Sequence, residues 1–325
     1  MKAENPQNTR FALRAGLIPG AFMALLLLTM CHSHSERVEI HRLDTHLVSG
    51  EMPDDEVLLN AASRLFEAYG LGDYDRFAAS EFAHKESVTA HVDKVAETFS
   101  GGLGKEENLL GRAFAVLGKE LPDFTAPEVY SVISPYSQSV IVADTIIFVG
   151  LNHYLGADYE PYRYFPDYLA ALKTRKRMPV DVVEALVRTK YHREWPHETT
   201  TLDRMIYYGA VTETVMRALG LNEQEAIGLT DTDMKWFKEN DMPFWTELLE
   251  RRLLYSTDLS VARSLLEPAP YTTIIGSGVP ARVGRLTAHR LVKSYLKAHP
   301  EVTVADMLAG KVAGDADFLT DAKPW

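Results

Sequence analysis

The chain holds a single cysteine, Cys31, directly behind an uncharged apolar run from Leu17 to Met30 that follows Lys2, Arg10 and Arg14. A basic stretch, a short apolar core and a cysteine form the pattern of a bacterial lipoprotein signal, because the run is short for a membrane span and has secretory flanks. Leu28-Thr29-Met30-Cys31 has the leucine-then-small order that a lipoprotein peptidase reads, with Met30 bulkier than the usual residue. On this reading residues 1–30 are a signal peptide outside the fold, and Cys31 is the lipidation site carrying diacylglyceryl and palmitate chains. The alternative is an uncleaved anchor helix with an incidental cysteine. Both readings tie the remaining residues to a bilayer, outside the inner membrane. Once the thiol is acylated no cysteine is left for a disulfide, so stability must come from core burial.

Removing the signal takes away three basic residues and one acidic residue. The mature chain keeps 31 Lys and Arg against 44 Asp and Glu, a formal charge of −13. Such a surface repels phosphate backbones, which argues against nucleic acid as a partner. About 295 mature residues are enough for one large domain.

Residues 31–50 are polar and rich in His and Ser, as expected of a flexible tether, and residues 51–325 form the globular domain. Within it Val57, Leu58, Ala61, Leu65, Phe66 and Tyr69 recur at helical spacing and end at Gly70. Phe77 to Phe99 and Leu109 to Leu121 repeat the pattern. The texture then changes to β-branched runs at Val129 to Ile133 and Val140 to Val149, which predict a small antiparallel sheet turning near Ala143-Asp144. Further helices are expected over Pro161 to Lys173, Pro179 to Tyr191, Thr201 to Leu219, Asp231 to Tyr255 (bent or broken at Pro243) and Pro280 to Ala298. A capping box at Thr303 to Asp306 opens a last short one. The fold class is therefore α+β, a predominantly α-helical single domain with a small antiparallel β-sheet.

Catalytic motifs fail one by one. Gly104-Lys105 lacks both the first glycine and the final hydroxyl of a phosphate loop. No Gly-x-Ser-x-Gly elbow occurs, and no thiol remains as a nucleophile. His192-Arg-Glu194 begins like a zinc-protease signature, yet Thr201 stands near where a second histidine belongs, and one zinc needs two ligands a helical turn apart. His192, His197 and either Glu198 or Glu213 are the candidate metal set; capping and surface solvation is the alternative. His84 and His91 share a helix face. Lys173, Arg175, Lys176 and Arg177 read as a solvated loop or a contact with anionic lipid or wall polymer. Tyr154, Tyr159, Tyr162, Tyr164, Phe165 and Tyr168 line a groove or anchor a packed loop.

Several segments resemble, in one order, the blocks of the gliding-motility lipoprotein family GldB. They are Phe148-Val-Gly-Leu-Asn-His-Tyr-Leu-Gly156 with Tyr162 and Phe165-Pro-Asp-Tyr168, Thr201 to Gly209, Leu253 to Asp258, Glu267 to Tyr271, and Pro280-Ala-Arg-Val-Gly284 leading to Tyr295. That family is in turn similar to proposed zinc peptidases carrying H-E-x-x-H on one helix and a third ligand on the next. The comparison implies an inactive zincin-like fold: Asp181 to Arg188 contains no histidine, and Tyr208 stands where the third ligand is expected. The resemblance implies a membrane-anchored lipoprotein of the cell envelope, facing the periplasm because His32-Ser-His-Ser-Glu36 lacks a run of acidic residues. It further implies a non-catalytic, pseudoenzyme component of a motility or secretion machine, with envelope proteins as partners and no cofactor. The alternatives are a divergent metal-dependent hydrolase and a peptidoglycan- or peptide-binding module, whose surface would include Tyr154, Tyr162, Tyr168, Tyr208, Arg282 and Arg285.

Overall fold

The computed structural model describes residues 37–322; the signal peptide, Cys31 and the tether up to residue 36 lie outside the described residues. The chain enters with strand β1 (Ile40–His41) and helix α1 (Leu43–Leu47). Both belong to the core rather than to a tether. Leu43 and Leu47 are fully buried, and the Ile40 N–H donates to the Glu107 carboxylate at 3.1 Å. Buried Asp44 accepts from Ser131 Oγ and from Arg42. The expected tether therefore stops short of this segment, where Ile40, Leu43 and Leu47, with Val38 and Val48 packed beside them, suffice to dock it.

The α-helices α2 (Glu56–Tyr69), α3 (Arg76–Ala83), α4 (Glu86–Thr89), α5 (Val92–Thr98) and α6 (Gly104–Glu120) follow. Asp55 caps α2 by accepting from Val57 N and Leu58 N, and Gly70 closes it in the left-handed region. The single helix expected over Phe77 to Phe99 is three short ones. His84 and His91 end up in the junctions between them.

Strands β2 (Glu128–Val132), β3 (Val140–Ala143) and β4 (Ile146–Gly150) complete a sheet of order β1-β2-β4-β3. The hairpin of β3 and β4 is antiparallel and turns at Asp144, φ 55°. The other two pairings are parallel, which corrects the antiparallel expectation to a mixed sheet. β4 slots between β2 and β3, and every one of its residues is buried. A central strand covered on both faces reads as a continuous apolar run, as Ile146-Ile147-Phe148-Val149 does.

The second half contains α7 (Asp167–Ala170), α8 (Met178–Lys190), α9 (Thr201–Leu219), α10 (Glu223–Ile227), α11 (Asp231–Glu250), α12 (Leu259–Leu266), α13 (Val283–Ala298), α14 (Val304–Leu308) and α15 (Phe318–Asp321). The helix expected over Pro161 to Lys173 is reduced to a 3-10 turn and α7, with Pro166 between them. By contrast α11 continues through Pro243, and α13 begins only after Arg282, whose φ of 62° ends the preceding loop.

The central helix is α9, which packs against α6, α8, α12, α13 and α14. A reciprocal capping box of Thr200 and Asp203 starts it and left-handed Gly220 stops it. Its closest neighbour is α13. A Cβ at Gly209 would strike the Ala288 carbonyl, so glycine is what lets the two backbones meet. Gly284 does the same for α13 against Leu265 of α12. Among the described residues no helix is long and apolar enough to cross a membrane.

Candidate functional site

A cleft of about 770 Å³ opens between α8, α9, the edge strand β3 and the start of α13. The core side of α8 is apolar, with Met178, Val182, Val183 and Val187 buried. Its other stripe carries Asp181, Glu184 and Arg188 at spacings of three and four, which puts them on one face over the cleft.

Glu184 is the shared counter-ion. It accepts from Arg285 Nη1 at 2.9 Å and lies 3.5 Å from Arg177 Nη2 and 3.8 Å from Arg188 Nη1. Burial opposes its ionisation, yet the charges of Arg285 and Arg177 win and hold its carboxyl down at about 2. Arg188 donates to the Tyr208 hydroxyl at 3.2 Å and lies over that ring at 5.2 Å. Arg285 covers the same ring at 5.7 Å and donates through Nε to Thr212 Oγ1 at 3.0 Å.

One layer down, Arg177 Nε donates to Asp181 Oδ1 at 2.7 Å and the Tyr154 hydroxyl donates to Oδ2 at 3.1 Å. Burial and the adjacent Asp181 charge push the Tyr154 hydroxyl well above its usual pKa, so it stays a donor. Arg177 also reaches the Ala226 carbonyl at 2.9 Å, while Arg282 donates to the carbonyls of Ile227 at 2.5 Å and Gly228 at 2.6 Å. Two guanidinium groups thus neutralise the C-terminal carbonyls of α10.

The sequence-chosen residues scatter accordingly. Tyr208, Arg282 and Arg285 do line the cleft, together with His192. Tyr154 and Tyr162, expected on a binding surface, are buried instead. The Tyr162 hydroxyl donates to the Asn152 carbonyl at 2.5 Å, pinning its loop to the turn that follows β4. Tyr168 is half-buried on α7 and is not part of the cleft lining. His197 lines an adjoining cavity of about 390 Å³, and Glu198 is exposed.

Among the described residues no three His, Cys, Asp or Glu side chains converge as a metal site. Asp181 and Glu184, the carboxylates on the floor, are each bound to guanidinium; Glu184 is held ionised, whereas burial raises the pKa of Asp181 against the charge of Arg177. Lys173, from the basic run, donates to His153 Nδ1 at 2.9 Å and sits over the rings of Tyr162 and Phe165. Burial and the Lys173 charge pull the His153 pKa down to about 3, which leaves its Nε2–H to donate to the Tyr136 carbonyl at 3.0 Å.

Glu213 is committed elsewhere, on the side of α9 facing α13. It pairs with His289 Nε2 at 2.7 Å and Arg217 Nε at 2.7 Å, while Glu223 of α10 takes His289 Nδ1 at 2.9 Å. The sequence reading missed Glu184, Arg188 and His289 as functional or structural charges. The signal was there for the first two, since charges at spacings of three and four interrupt an otherwise apolar helix.

A family model described as gliding motility protein GldB matches residues 31–322. No curated protein and no solved structure matches the chain.

Proposed function

We propose, from the premise that this chain belongs to the gliding-motility GldB family, that it works by binding rather than by catalysis. Membership makes it a motility-related, envelope-anchored lipoprotein. The finer reading is a protein lipidated on Cys31, facing the periplasm, and serving as an inactive peptidase-like part of a motility or secretion assembly. One observation carries it: on the facing sides of α8 and α9 the i, i+4 pair is Glu184 and Arg188, with Tyr208 opposite, and Arg285 closes the set. A zinc peptidase needs imidazole or free carboxylate at such positions, whereas a guanidinium repels a cation and has no lone pair to give. Arg188 and Arg285 occupy that space with fixed positive charge.

The purified mature chain, dialysed against zinc and then against buffer, is expected to retain no stoichiometric metal by elemental analysis and to leave casein and short peptides uncut. One tightly held zinc per chain, with cleavage that His197→Ala abolishes, overturns the reading in favour of a metal hydrolase built on His192, His197 and Glu198.

A further inference from the structure

In a chain with a net charge of −11, the cleft inverts the sign. Its lining holds five arginines against Asp181, Glu184 and Glu267. Two of those carboxylates are already spent on Arg177, Arg285 and Arg188. The adjoining cavity shares Trp195, Tyr208, Leu266 and Glu267 with the cleft and adds Arg204 and Arg263. The two therefore make one continuous basic groove.

Several of these cations have no counter-ion. Arg282 is 8% exposed and engages only the Ile227 and Gly228 carbonyls, with no carboxylate partner among the described residues. Burial first, then the charges of Arg177 and Arg285, pull its pKa down to about 10 against the opposing pull of Glu184 and Asp233. Its backbone is also left-handed, a conformation disfavoured for a side chain with a Cβ and typical of positions fixed for a purpose. Arg193 and Arg204 both lie over Trp195, at 4.8 Å and 4.6 Å from its ring, and neither has a carboxylate partner among the described residues. A buried charge left without its opposite is costly, and a ligand that supplies the opposite charge recovers that cost.

We propose that this groove binds an acidic peptide segment, whose carboxylates are taken by Arg188, Arg193 and Arg282 and whose chain lies against Trp195 and Tyr208. The proposal rests on the non-catalytic reading above and names the chemistry of the partner. Guanidinium forks match carboxylates in a bidentate way, and the aromatic floor adds area. A peptide fits better than a membrane surface. A bilayer is flat on this scale and cannot reach Arg282 at the bottom of a concave site, whereas carboxylates on flexible stems can. The wall opposite is the edge strand β3, with Ser139, Val140 and Val142 in the lining and a free edge for an extended chain.

The test is isothermal titration of the full chain in detergent with acetylated hexaglutamate at low ionic strength. Hexaglutamine, inorganic phosphate and vesicles containing phosphatidylglycerol serve as separate probes. Hexaglutamate is expected to bind and hexaglutamine not to. The double variant Arg188→Gln/Arg193→Gln, which alters one exposed and one half-buried side chain, should weaken binding about tenfold or more, while Lys105→Gln on α6 leaves it unchanged. Arg282→Gln should weaken it as well, with unaltered far-UV circular dichroism showing that the variant is folded. No hexaglutamate binding, binding indifferent to the double variant, or arginine-dependent binding of phosphate or vesicles without the peptide overturns the proposal. Recovery of the peptide separates the two readings: a bound peptide returned in pieces sinks the non-catalytic reading and leaves the acidic selectivity standing.

Discussion

Replacing His289 with alanine is expected to cost on the order of 3–5 kcal/mol of folding stability, measured by urea denaturation at pH 6. The imidazole is fully buried between Glu213 and Glu223, and both are acceptors when ionised. Each ring nitrogen must therefore carry a hydrogen, which makes His289 an imidazolium. Burial works against that charge, but the hydrogen bonds and charges of Glu213 and Glu223 overcome it and raise the pKa above the ordinary 6.5. Arg217 on Glu213 and Arg290 on Glu223 are the other charges facing the cluster.

The pH dependence has two opposing sides. A raised histidine pKa contributes stability that is complete below 6.5 and is lost as pH rises through the folded-state value. Glu213, held down at about 2 although burial opposes it, by hydrogen bonds from His289 and Arg217, contributes above its ordinary 4.5 and loses that contribution as pH falls towards 2. The cluster is thus at full strength between about pH 4.5 and 6.5. In that window the gap between the wild type and His289→Gln should be widest, and it should narrow above the raised histidine pKa. A gap that grows as pH rises through 6.5 would mean that the ring is neutral in the folded state, and a gap flat from pH 5 to pH 9 would mean that its pKa is not raised.

The second large effect belongs to Glu184. Its change to glutamine preserves shape and removes the one charge shared by Arg285, Arg177 and Arg188, and about 3–5 kcal/mol should be lost because three guanidinium groups are left crowded together. A double-mutant cycle separates charge from packing. With Arg285→Met in the background, the same Glu184→Gln change should cost markedly less, since the best-placed of the three cations has gone. Equal losses in both backgrounds would mean that the pair is not coupled.

How far the sequence reveals this molecule depends on whether the signal is local. The bounds of α9 were readable because its start and stop are written in side chains, the Thr200 and Asp203 box and the glycine after Leu219. The same holds for α14 behind Thr303. Strand order is not a local property. Nothing within β2 or β4 states that they run parallel, and β1 is two residues inside a polar stretch, held by Glu107 from a helix some seventy positions away. For the cleft, Tyr208, Arg282 and Arg285 were found through their place in the family's blocks. Tyr154 and Tyr162 were misplaced because aromatic content does not say which side of a loop faces water, and both rings point inward. Glu184 and Arg188 went unread because a search for histidines passes over the charges that replace them.

The central claim is that the face between α8 and α9 is an ion-pair network in which Glu184 stays ionised, not a site awaiting a metal. Carbon-13 NMR of side-chain-labelled glutamate, assigned by Glu184→Gln and titrated from pH 7 to pH 4 with and without zinc, tests it most directly. The Glu184 carboxyl resonance is expected to stay still while exposed glutamates move, and to ignore zinc. A Glu184 signal that titrates near the ordinary 4.5, or that shifts with one equivalent of zinc, would contradict the account.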